Sequence, residues 1–191
     1  MESKWEKVNN EHVIHTDKGV LYYWRDNDYE RKRRKGMKKK EINKETLKVK
    51  IDEIARGSTI SHQENGAPIL QSDLYKEISI SHSDAFFCLY FSDHSVGVDI
   101  QVLKKNLYDG RAYFVNQREE EKIDLSELNL HLIWSAKEAF YKLLKGDILN
   151  LKEEAVITEI NLIEKSIFLE YHQDKFELNF LLREEFVLVW I

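Results

Sequence analysis

Three clusters of side chains in this sequence have the types and spacing to do chemistry. The first is Ser81-His82-Ser83, where an imidazole sits between two hydroxyls. Such a histidine is either a satisfied structural group or a donor to a phosphate oxygen. The second is Asp99, in Val96-Gly97-Val98-Asp99-Ile100-Gln101. Its apolar neighbours predict burial, and an unpaired buried carboxylate is costly. Asp99 therefore needs a backbone donor, a lysine or arginine, or a metal. Gln101 shares its strand face by the period of two, so the pair makes half of a hard-cation site. Mg²⁺ completes such a site with water and substrate phosphate oxygens. The third cluster is Glu138 with Lys137 and Lys142. Glu138 and Lys142 are four residues apart, neighbours on one helical surface. A surface ion pair is the plain reading, worth about 0.3–0.5 kcal/mol. The sharper reading makes Glu138 a second carboxylate for the same metal, if its helix packs over the strand of Asp99.

Other site types lack support. There is no Gly-x-Ser-x-Gly, no Gly-x-x-x-x-Gly-Lys-[Ser/Thr] loop and no Gly-x-Gly-x-x-Gly, and the seven histidines lack zinc spacing. Cys88 is the one cysteine, so it forms no internal disulfide and no Cys-based metal site. Its neighbours Ala85-Phe86-Phe87 and Leu89-Tyr90-Phe91 predict a buried thiol in a strand.

The elements that must position these groups follow from periodicity. Leu132, Ala136, Ala139, Phe140 and Leu143 recur at helical spacing, so residues 132–144 read as one amphipathic helix. Trp134, Glu138, Tyr141, Lys142 and Lys145 fall on its other side, and Gly146 suits its end. A shorter helix is expected from Gln117 to Ile123, with Glu119, Glu120 and Glu121 favoured by the dipole at its start. Residues 42–55 read as a helix with Leu47, Ile51, Ile54 and Ala55 on one face. A hairpin is expected around Asp17-Lys18-Gly19, and a turn at Asn65-Gly66-Ala67-Pro68. Strands are expected at 78–83, around Cys88, at 96–101, and in the tail at 156–162, 167–171 and 176–182. A last apolar run, 186–191, suits a strand covered on both faces.

The pattern gives an α+β protein and permits two similar halves, divided at residues 1–80 and 81–191. With 191 residues, 42% hydrophobic and 12% aromatic, the chain can build a substantial core. A net charge of −5 argues against a general polyanion binder. The run Arg31 to Lys40 is the exception, with eight basic residues in ten. It suits a solvated, mobile segment, a phosphate-binding patch or a nucleic-acid contact, although no aromatic residue interleaves with it. No apolar leader is visible in residues 1–7, and no apolar run reaches the roughly 20 residues of a membrane span. A soluble cytoplasmic setting without membrane or nucleic-acid partners is expected.

Taken together, these motifs resemble a known family. Gly97-Val98-Asp99-Ile100-Gln101 and the later Trp134-Ser135-Ala136-Lys137-Glu138-Ala139-Phe140-Tyr141-Lys142 are similar to the paired signature of 4′-phosphopantetheinyl transferases of the Sfp type. Ile80-Ser81-His82-Ser83 resembles the family's Ser-His-Ser element, Asn65 to Pro68 its Gly-Lys-Pro turn, and Tyr113-Phe114 its Phe-rich stretch. The resemblance covers residues 60–191 well and the first sixty only in layout.

The resemblance implies a monomer of two similar α/β halves, the pseudo-dimeric transferase fold, with the active site in a cleft between them. It implies transfer of the phosphopantetheine arm of coenzyme A to a serine of an acyl or peptidyl carrier protein, releasing adenosine 3′,5′-bisphosphate. Asp99 and Glu138 would hold Mg²⁺, with Gln101 as a further candidate ligand. Glu138 would also be the base for the serine hydroxyl. His82, Lys142 and Ser81 would contact coenzyme A phosphates. Two positions depart from the family pattern: Gln101 stands for a common glutamate, and Ala67 for a lysine. They predict weaker metal or coenzyme A binding. They also leave open a weak or inactive relative that binds coenzyme A or a carrier protein.

Overall fold

The computed structural model describes residues 11–191 and the backbone of one short strand, β1 (Glu6–Val8). The expectation of no leader segment falls on residues 1–7, of which 1–5 lie outside the described residues. The hairpin around Gly19 forms from β2 (Glu11–His15) and β3 (Gly19–Arg25). Gly19 is needed because a Cβ there would overlap the carbonyl oxygen of Phe91 on the neighbouring strand. That neighbour is β7 (Phe86–Ser92), flanked on its other side by β6 (Glu77–Ser83). All the pairings are antiparallel, in the order β1-β2-β3-β7-β6. All seven residues of β7 are buried, including Cys88, which forms no disulfide, as the sequence predicts.

The basic run is mostly exposed, as its charge suggests, and it is helical. It forms α1 (Tyr29–Arg34) and the start of α2 (Lys39–Ile54), with Gly36 at φ +88° between them. Tyr29, 3% exposed, anchors α1 edge-on against Phe87. Lys32 reaches Asp26 and Glu45, Arg31 reaches Asp28, and Lys39 reaches Asp84. Ile42 and Ile51 of α2, with Ala55 at its C-cap, join a core with Phe87, Leu89 and Phe91, alternate residues of β7. The turn at Asn65 to Pro68 closes a hairpin of β4 (Thr59–His62) and β5 (Pro68–Gln71).

The tail builds a second five-stranded antiparallel sheet, in the order β8-β12-β11-β10-β9. Its strands are β8 (Val98–Val102), β9 (Val156–Asn161), β10 (Ser166–Tyr171), β11 (Asp174–Leu182) and β12 (Phe186–Trp190). The apolar run 186–191 lies between β8 and β11, where both of its edges are paired. Between β8 and β9 come a 3₁₀ turn (Leu107–Tyr113), α3 (Gln117–Lys122), α4 (Glu127–Leu143) and α5 (Leu151–Glu154). Helix α4 starts five residues before the apolar periodicity is evident, at the Ser126 cap. Its Leu132, Ile133, Ala136, Ala139 and Phe140 share a core with Ile167, Leu178, Val187 and Val189.

The chain is thus α+β in two compact units, 1–96 and 97–191. The boundary falls at Val96/Gly97 rather than at residue 80. The reason is that β6 and β7 extend the first sheet through β3, so Ser81 and His82 belong to the first unit. Among the described residues, no helix is long and apolar enough to cross a membrane.

Candidate functional site

Helix α4 lies over β8. Gly97 makes the close pass possible, because a Cβ there would overlap the Ala139 carbonyl oxygen and sit 2.9 Å from Leu143 N. Two residues on, Asp99 is 6% exposed and is met by Lys142, whose Nζ donates to Asp99 Oδ1 at 2.8 Å and to the Val98 carbonyl at 3.0 Å. The partner that the buried carboxylate requires is therefore a lysine. Two residues further, Gln101 Oε1 accepts from Ser135 Oγ at 3.4 Å. The strand runs from 99 to 101 while the helix runs from 142 back to 135, so the two are opposed in direction. Ser135, Glu138 and Lys142 lie at i, i+3 and i+7, one stripe of the helix.

Glu138 lies in the middle of that stripe and is only partly exposed. Burial pushes its carboxyl above the usual range, the negative charge of Asp99 pushes it further, and Lys142 opposes both. Two carboxylates thus share one ammonium. That charge balance, with the amide oxygen of Gln101 beside it, suits a divalent cation. No three His, Cys, Asp or Glu side chains gather into a metal cage among the described residues. Asp99, Glu138 and Gln101 would supply only part of a coordination shell and leave the rest to water and substrate oxygens.

A raised carboxyl costs stability wherever it is ionised in the fold. The cost is full above the folded pKa of Glu138 and vanishes below its unfolded value of about 4.3. Glu138→Gln is therefore expected to melt higher than wild type at pH 7. Thermal scans at successive pH values should show that advantage closing as pH falls to about 4. An advantage that persists unchanged at low pH would contradict the assignment.

The other predicted residues separate. Lys137 points away from this stripe and is 1% exposed, paired to Glu119, which is fully buried. Glu119 lies in the first turn of α3, where the dipole favours it, and is buried there. Burial pushes the Glu119 carboxyl up and the Lys137 ammonium down, each opposed by its partner's charge. Trp134 packs edge-on against Phe114 and joins the apolar core rather than the polar side of α4.

In the first unit, Ser81 is buried and His82 is exposed at the end of β6. Asn43 of α2 brings its Nδ2 within 3.2–3.3 Å of the His82 ring nitrogens, and its own Oδ1, buried, has no hydrogen-bond partner among the described residues. One helical turn earlier, Lys39 holds Asp84, two residues after His82, at 3.2 Å. The start of α2, rich in Lys38, Lys39 and Lys40, therefore adjoins the Ser-His-Ser segment. Ala67 lies in the β4–β5 turn, where its N–H donates to Asn65 Oδ1.

Asn43 and Ser135 were not among the residues read from the sequence. Ser135 carried a signal, since it completes the stripe with Glu138 and Lys142. Asn43 carried none, because its neighbour His82 is 39 residues away. The sequence matches no protein-family model, and no curated protein matches it.

Proposed function

We propose that this chain is a 4′-phosphopantetheinyl transferase of the Sfp type, dependent on Mg²⁺. The observation that carries the reading is the stripe of Ser135, Glu138 and Lys142 laid along Asp99 and Gln101. It gathers, within one unit, the residues of two motifs that lie 35 positions apart in the sequence. The finer fold class, two like halves of the transferase type, belongs to the same proposal. Its support is that each unit has a five-stranded antiparallel sheet and one helix of 16 or 17 residues.

The reaction is attack by a carrier serine oxygen on the phosphorus that bears the pantetheine arm. The bond from that phosphorus to the bridging oxygen breaks, and adenosine 3′,5′-bisphosphate leaves. Positioning and charge neutralisation supply most of the catalysis for such a step. Glu138 takes the serine proton, and its raised carboxyl makes it a better base at moderate pH. Lys142 moves its ammonium between Asp99 and a phosphate oxygen. Asp99 and Glu138, with Gln101, would hold Mg²⁺, which would neutralise pyrophosphate charge. Ser81 and His82, beside Asn43 and the basic start of α2, contact phosphate oxygens of coenzyme A. The setting is cytoplasmic and the partner is an acyl or peptidyl carrier protein.

Incubation of the chain with coenzyme A, Mg²⁺ and apo carrier proteins tests this. Mass spectrometry is expected to show each accepted carrier gaining one phosphopantetheine. No gain across a broad carrier panel would refute the enzyme. Calorimetric binding of coenzyme A without turnover would then favour a non-catalytic relative.

A further inference from the structure

Lys137 and Glu119 place opposite charges in the driest part of the second unit, at 1% and 0% side-chain exposure, and the proposed reaction gives them no task. Lys137 Nζ donates to Glu119 Oε2 at 2.9 Å and to the Lys152 carbonyl at 2.9 Å. Glu119 Oε1 accepts from the Ile157 amide at 2.7 Å, and Oε2 accepts from the Asn116 amide at 2.9 Å. Asn116 caps α3 through Glu119 N at 3.0 Å and donates its side-chain amide to Lys152 O at 3.0 Å. One carboxylate and one ammonium therefore tie α4 to the start of α3, to α5 and to the start of β9.

Stability alone does not explain such a pair. Replacing a buried ion pair with apolar side chains of similar volume is often neutral or stabilising, because two charges no longer need to be dehydrated. What the pair adds is direction. The apolar face of α4 packs through non-directional contacts. The Lys137 hydrogen bonds, at 2.9 Å to Glu119 of α3 and at 2.9 Å to the Lys152 carbonyl of α5, add a fixed direction.

We infer that Glu119–Lys137 is a positioning pair that fixes the rotation of α4 and thereby places Glu138 and Lys142 against Asp99. Lys137 directly precedes Glu138, and the two project about 100° apart around the axis. A turn of about 15° moves a group roughly 6 Å from that axis by about 1.5 Å. A misplacement of that size costs on the order of 10²-fold in rate. The inference rests on the transferase reading, since the rate is what it protects.

The test is the paired replacement Glu119→Leu/Lys137→Met in the full chain, assayed beside wild type with coenzyme A, Mg²⁺ and an accepted carrier. The expected result is a thermal midpoint equal to or above wild type, kcat lower on the order of 10²-fold, and KM for coenzyme A within about threefold of wild type. A purely structural pair would not lower kcat in a chain that melts as wild type does. Wild-type kcat in the paired variant overturns the inference. So does failure of that variant to fold, which would make the pair a stability element. Wild type that transfers nothing removes the transferase reading itself, and the positioning role with it.

Discussion

On the proposed transferase reading, Asp99→Ala is expected to lower phosphopantetheine transfer on the order of 10²–10³-fold while the second unit keeps its fold. The carboxylate is the one charged group that β8 contributes to the stripe, and it is 6% exposed. Its loss would leave Glu138 and Gln101 to hold the proposed divalent cation with one formal negative charge instead of two. Lys142 keeps the Val98 carbonyl and the charge of Glu138, and its side chain, 24% exposed, can turn into water. The structural penalty is thus modest, about 1.5–3 kcal/mol for a charged hydrogen bond. Asp99→Asn separates shape from charge and is expected to fall nearly as far. A mass-spectrometric time course on an apo carrier, with circular dichroism as the fold control, reads both. Full activity in either variant would remove Asp99 from the metal site.

Lys137→Met alone has the largest expected effect on the fold. It leaves Glu119 buried with its charge uncompensated, which costs about 3–5 kcal/mol. Two backbone amides still reach the carboxylate, at 2.7 and 2.9 Å, so the loss is not total. Burial already pushes Glu119 up, and the positive charge of Lys137 pulls it back down. Without the lysine, protonation relieves the buried charge, so the deficit against wild type shrinks as pH falls through the acid range. Hydrogen exchange of α4 amides reports the second unit directly. A variant whose α4 amides are protected as in wild type would show that the ammonium carries no such load.

Why one buried charge was legible and the other was not comes down to context. Asp99 sits among Val98 and Ile100 in a strand, where alternation dictates burial and the cost of an unpaired carboxylate demands a partner. Lys137 sits in a helix beside Glu138, where adjacent charges read as solvated. Yet it lies four residues after Ile133 and three before Phe140, both fully buried, so helical spacing does put it on the apolar face. Glu119 stands in the first turn of α3 as the dipole suggests, but its burial is not legible, since two further glutamates follow it and the dipole favours all three alike. The long strands and the core of α4 follow from simple periods. The β4–β5 hairpin and α5 do not, because each segment is only four residues long. The basic run reads as mobile from charge alone. Its order comes from Tyr29 and from acids as distant in sequence as Asp84.

Strand β8 has one sheet neighbour among the described residues, and that neighbour is β12, where Val98 faces Trp190 and Asp99 faces Val189. Some ninety residues separate these partners in the sequence. Closing so long a loop carries an entropic charge before any strand pairing rewards it, and non-local pairing slows folding. Helices α3 and α4 and the β9–β10–β11 meander can all form from nearer contacts. Asp99 and Gln101 can be set in register only once residues 186–190 are in place. During refolding, protection should therefore reach β9 to β11 before β8, and the competence of the stripe should be acquired last.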